Sequence, residues 1–257
     1  MLQRLTARAV AKPEWGSTHL EPWFPNSTEK IGEMWFEGPP GSPLLIKFLF
    51  TTEALSVQVH PKDDYAREHH QSRGKTEMWH ILAAEPGARI AAGFRQPVSA
   101  ERLRAAAESG EIEKLLAWHD ARPGDTFFIP AGTVHAIGAG LTLCEIQQTS
   151  DVTYRLYDYG RPRELHLDHG TKVSDLAPNE VRCTAREGTL VQCPYFTTER
   201  LSGDRHIPAL DRDQSLIVIA GSGTIAGHAA RAGEVFLLPA GEAADVAGKI
   251  TLLHTHA

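Results

Sequence analysis

Cysteine is scarce. Cys144, Cys183 and Cys193 are the only three in 257 residues, odd in number and far apart. That argues against a disulfide framework and for a reducing cytoplasm. Long apolar runs are also missing: the longest, such as "PLLIKFLF" from Pro43, are far too short to cross a bilayer. The opening residues, "MLQRLTARAVAKPEWG", carry no apolar h-region, so no secretory signal is expected. Neither sign of charge dominates. The net charge is -6, with acidic and basic residues mixed along the chain, which gives no footing for a nucleic-acid partner. What remains is an ordinary soluble composition, 42% hydrophobic, long enough for one large domain or two small ones.

Most of the sequence reads as short strands between Gly, Pro and Asp. "LSVQVH" from Leu55 alternates strictly, so Ser56, Gln58 and His60 share one face before Pro61 ends the strand. One stretch differs. Residues 98–120, "VSAERLRAAAESGEIEKLLAWHD", predict a helix capped by Ser99 and ended by Gly110, then a second from Glu111 to about His119. There is also an internal repeat. Gly124, Phe128, Pro130, Ala131 and Gly132 match Gly233, Leu237, Pro239, Ala240 and Gly241 at an offset of 109. Upstream, "EMWHILAAEPGARI" from Glu77 matches "QSLIVIAGSGTI" from Gln214 at 137, a difference close to the length of the helical stretch. These observations predict a mainly β protein of tandem cupin-like jelly-roll barrels, with a small helical insertion in the first. The expected division is 1–170 for the first domain, with the insertion at about 98–120, and 171–257 for a smaller, degenerate one.

Three segments of the first repeat bear groups suited to a metal: Gln58 and His60, Lys75 and Glu77, and His135. Two imidazoles and a carboxylate hold zinc and leave a position open; non-haem iron accepts the same trio. A lone strand histidine is more often structural than a ligand, but these three fall together in strands that would line one barrel. The second repeat has Gln214 for Glu77 and Ala244 for His135, so it is expected to bind no metal. His69, His70 and His119 read as surface residues, His80 as lying on the strand face opposite Glu77, and the terminal "HTHA" as a solvated tail. Farther on, Leu143, Glu145 and Gln147 share one face, and Thr153, Arg155 and Tyr157 another. Lys75 and Arg155 beside a metal imply an anionic ligand, with phosphate the natural candidate.

The blocks "WGSTHL", "IGEMW", "PLLIKFLFTTEALSVQVHPKDD", "GKTEMWHIL", "GDTFFIPAGTVHAIGAGLTLCEIQQTSDVTYRLYDYGR" and "RELHLD" occur in one order over most of the first two-thirds of the chain. Together they resemble the type I mannose-6-phosphate isomerases, particularly the short bacterial form. The resemblance implies a cupin fold, one zinc ion per chain, and interconversion of mannose 6-phosphate and fructose 6-phosphate. It places zinc ligands on Gln58, His60, Glu77 and His135. It places the active-site arginine on Arg155, the lysine on Lys75 and a glutamate on Glu145. The implied partner is a small sugar phosphate, with neither nucleic acid nor membrane involved. Two other readings use the same trio: a cupin that only senses a sugar phosphate, and an iron cupin oxygenase.

Overall fold

A computed structural model describes residues 1–257. The chain is mainly strand with four short helices, none long and apolar enough to cross a membrane. Packing divides it into two compact units, residues 51–182 and residues 1–50 with 183–257.

In the 51–182 unit, one antiparallel sheet runs Tyr154–Tyr157, Val57–Val59, His135–Ile137, Arg89–Phe94, Leu116–Asp120. A second brings together Thr126–Ile129, Glu77–Ala84 and Leu141–Gln148. The alternation in the "VQV" strand has a plain cause. Val57 and Val59 pack with Ala91, Ala136 and Leu156 against Leu103 and Ala106 of the Ala100–Ser109 helix. Gln58 points the other way, directly opposite His135.

The helical segment follows its caps for one helix only. Ser99 Oγ accepts from Arg102 N at 3.1 Å, and Gly110 closes the helix at φ 78°. The second helix is shorter than expected. It covers Ile112–Leu115, and Leu116–Asp120 is a strand with Trp118 opposite Ala91. Pairing with a neighbouring strand and burial of Leu116 override the helix-forming composition there.

In the other unit, strands run Gln3–Arg4, Val235–Leu238, Gln214–Ile225, Ala244–His256, Thr197–Ser202, Gly188–Gln192. The first fifty residues, expected in the first domain on sequence, group with this unit, where Gln3 and Arg4 pair with Leu237 and Phe236. Leu216, Val218, Phe236, Leu238, Val246 and Leu252 form its core. "HTHA" is not a solvated tail. His254 and His256 end the Ala244–His256 strand, and His254 is buried, its Nε2 2.8 Å from Gln214 Oε1.

The repeat extends to individual hydrogen bonds. Glu77 stands opposite Ile129, and Gln214 opposite Leu238, so both sequence offsets meet in one register. Gly124 (φ 85°) donates to Ile81 O at 2.8 Å, and Gly233 (φ 90°) donates to Val218 O at 2.9 Å. The N–H of Arg122 reaches Asp125 Oδ2 at 3.0 Å, and that of Arg231 reaches Glu234 Oε2 at 3.0 Å. Both glycines occupy backbone space that side-chain-bearing residues rarely adopt, which explains why the turns recur while the ligand types do not.

Candidate metal centre

The strand Val57–Val59 hands the chain to Pro61 and the turn "HPKDD". Against that turn lies Gly74, which donates to Asp63 Oδ1 at 2.7 Å. A Cβ on Gly74 would lie 2.7–2.8 Å from backbone atoms of Pro61, Lys62 and Asp63. Only glycine lets "GKTE" approach so closely, and this brings Lys75 and Glu77 to His60. Asp63 Oδ1 also accepts from Gln148 Nε2 at 3.0 Å, and Gln148 Oε1 accepts from Thr76 N at 2.9 Å. One aspartate thus ties together three segments that carry or flank the site.

His60, Glu77 and His135 meet there, all buried, with a donor atom from each within 4.8 Å of the others. Glu77 Oε2 lies 3.7 Å from His60 Nε2, and Glu77 Oε1 lies 3.5 Å from His135 Nε2. Each imidazole is oriented from behind. His60 Nδ1 lies 3.0 Å from Val152 O, and His135 Nδ1 lies 2.9 Å from Thr133 O. A carbonyl can only accept, so each Nδ1 carries the proton and each Nε2 turns its lone pair to the centre. Burial pushes the His135 pKa down to about 4, which keeps the ring neutral at pH 7. Two neutral imidazoles and one carboxylate, with tautomers fixed, fit a zinc-type or iron-type ion.

Gln58, Lys75 and Glu145 stand beside this trio, and Arg155 lies across the ladder from Gln58. Gln58 Nε2 is 3.3 Å from His135 Nε2, so its amide stands beside the group. Lys75 Nζ contacts Glu77 Oε2, lies 3.0 Å from His60 Nε2, and is 3.8 Å from Glu145 Oε1. Glu145 Oε2 accepts from Trp79 Nε1 at 2.9 Å. Arg155 sits directly across from Gln58, and its Nη1 donates to Glu164 O at 2.8 Å. Burial, then the nearby Arg163, lowers its pKa from the ordinary arginine value.

Other histidines stay apart. His80 is buried on the opposite strand face, 2.9 Å from Thr126 Oγ1; His69 and His70 are exposed and His119 half-buried. Sequence reasoning missed Trp79 and Asp158. Asp158 is buried and binds Arg163 through two contacts of 2.6 and 2.7 Å, with Arg161 at 3.7 Å and Arg155 at 4.0 Å. The dense basic run "YDYGRPR" was its available signal.

No family model matches the sequence. A mannose-6-phosphate isomerase of Bacillus subtilis (strain 168) is 39% identical over 220 residues, which cover 77% of this chain and 70% of that protein. One from Streptococcus mutans serotype c is 37% identical over 216 residues, with coverages of 77% and 68%. The crystal structure of the mannose 6-phosphate isomerase from Bacillus subtilis superimposes with a TM-score of 0.86 at 31% identity, over 99% of each chain. A putative mannosephosphate isomerase from Archaeoglobus fulgidus shares the fold, with a TM-score of 0.84 at 19% identity over 99% of this chain and 97% of that one. The chain belongs to the mannose-6-phosphate isomerase family of enzymes.

Proposed function

We propose that this protein is a zinc-dependent aldose–ketose isomerase that interconverts mannose 6-phosphate and fructose 6-phosphate in a reducing cytoplasm. The observation that supports this best is the buried His60–Glu77–His135 group with both imidazole lone pairs turned inward and Lys75 alongside. His60, Glu77 and His135 would hold the ion, with Gln58 in or beside its shell. Bound there, zinc would serve as a Lewis acid toward a substrate oxygen. Lys75 and Arg155 favour an anionic substrate over oxygenase chemistry.

In the forward direction a base takes the proton from C2 of the open-chain aldose. The electron pair left behind forms the C1–C2 double bond of a cis-enediol, and O1 gains a proton. Return of a proton to C1, as O2 loses its own, gives the ketose. Glu145 is the proposed base, because the indole of Trp79 fixes one of its oxygens and leaves the other toward Lys75. Arg155 would stabilise charge that develops on the enediol oxygens. Three arginines around the single carboxylate of Asp158 leave excess positive charge for a phosphate, whose binding helps orient the reacting carbons.

The test is a coupled assay for fructose 6-phosphate, with elemental analysis of the same preparation. One zinc per chain at saturation is expected. His135→Ala should lose most of the metal and nearly all turnover; full zinc and full turnover in that variant would overturn the assignment.

A further inference from the structure

The 51–182 unit contains a cavity of about 620 Å³, apart from the His60–Glu77–His135 group. Glu85, on its wall, follows the last residue of the strand that Glu77 begins, about 25 Å along that strand. Its rim is held by backbone bonds: Glu85 N to Gly140 O at 2.8 Å, Gly138 N to Arg89 O at 2.9 Å, and Ala121 N to Ala88 O at 3.0 Å. Trp118 is fixed through its indole N–H, which donates to Glu113 O at 2.9 Å. The site therefore exists before any ligand arrives.

Its polar groups are set for recognition and largely unused. Arg89 lies over the Trp118 ring, 5.1 Å from the centroid, and its guanidinium makes no hydrogen bond or ion pair. The carboxylates of Glu85 and Glu113, also on the wall, make no ion pair. Lys114 adds a second cation and reaches only Glu111, at 3.3 Å. Tyr159 closes one side from a left-handed backbone (φ 54°), with its hydroxyl enclosed and unpartnered.

We propose that this cavity is a second binding site, for a neutral, hexose-sized sugar. Two carboxylates and two cations cancel, so nothing draws a phosphate or a simple cation. A compact zwitterion needs opposite charges side by side, and no acid–base pair of this wall is in contact. The wall instead offers both carboxylate acceptors, Glu85 and Glu113, and cationic donors, Arg89 and Lys114. A sugar ring carries hydroxyls that both donate and accept around its edge. Its C–H groups suit the aromatic rings of Trp118 and Tyr159, each of which has a guanidinium, Arg89 or Arg161, over one face. Neither the metal assignment nor the proposed reaction enters this argument.

The test titrates the metal-loaded protein with D-glucose, followed by saturation-transfer NMR, with inorganic phosphate and glycine in parallel. A saturable glucose signal with a millimolar dissociation constant is expected, weakened about tenfold by Arg89→Ala and by Glu113→Gln. The thermal midpoint should be unchanged in both variants, which certifies their fold whatever the reaction at the metal centre. No saturable glucose signal overturns the proposal. So does a signal that both variants leave intact, or preferential binding of phosphate or glycine that Arg89→Ala abolishes.

Discussion

Two imidazoles that donate from Nδ1 to backbone carbonyls decide where two lone pairs point, and that choice is made by Val152 O and Thr133 O. The ligand types were readable: strict alternation in "VQVH" put Gln58 and His60 on one face, and the repeat without ligands isolated Glu77 and His135. The carbonyls were not readable, because any residue supplies one and only the fold brings it within 3 Å. The same holds for Trp79, whose bond to Glu145 crosses between paired strands. Arg155 offers the sharpest test at this scale. If it stabilises charge that develops on the substrate, Arg155→Ala should lower kcat on the order of 100- to 1,000-fold with metal content retained. If it grips phosphate equally in ground and transition states, KM should rise with kcat little changed. Steady-state kinetics with metal analysis separates the two outcomes, and unchanged kinetics would remove Arg155 from the site.

At the scale of elements, caps and glycines were legible and partner strands were not. Ser99 and Gly110 bound the Ala100–Ser109 helix as their chemistry requires. Leu116–Asp120 became a strand through pairing with Arg89–Phe94, a long-range choice that helix-forming residues do not announce. Gly74 joins local rule to function. Its missing Cβ allows the "GKTE" segment to lie on the "HPKDD" turn, where every neighbour within 2.8 Å is backbone and cannot swing aside. Gly74→Ala should therefore shift Lys75 and Glu77 away from His60. The expected cost is about 1–3 kcal/mol of stability, as for overpacking elsewhere, together with weakened metal retention. Denaturant unfolding and metal content measured together check this. A variant of full stability and full metal content would show that the turn tolerates the methyl group.

Across the whole molecule, duplication makes one barrel a control for the other. Where the first has Trp79 opposite Glu145, the second has Leu216 opposite His254, so the repeat keeps register and exchanges chemistry. Buried His254 lies between Gln214 Oε1 at 2.8 Å and Glu199 Oε2 at 3.5 Å, with His256 beside it. Burial holds its pKa below the ordinary 6.5, the opposing pull of Glu199 notwithstanding. In the folded barrel it is neutral, and unfolding returns it to the ordinary value. As pH falls through 6.5 toward the depressed value, the unfolded chain takes up the proton first. This contribution to stability is therefore complete above about pH 6.5 and lost progressively below it. His254→Gln removes the titration while retaining an amide that can face Gln214. The thermal midpoint of the unchanged protein should drop between pH 7 and pH 5 by more than that of the variant. Both would be compared with metal stripped, so that protonation of His60 and His135 on metal loss is common to them. Parallel curves for the two proteins would show that His254 bears no part of the acid sensitivity.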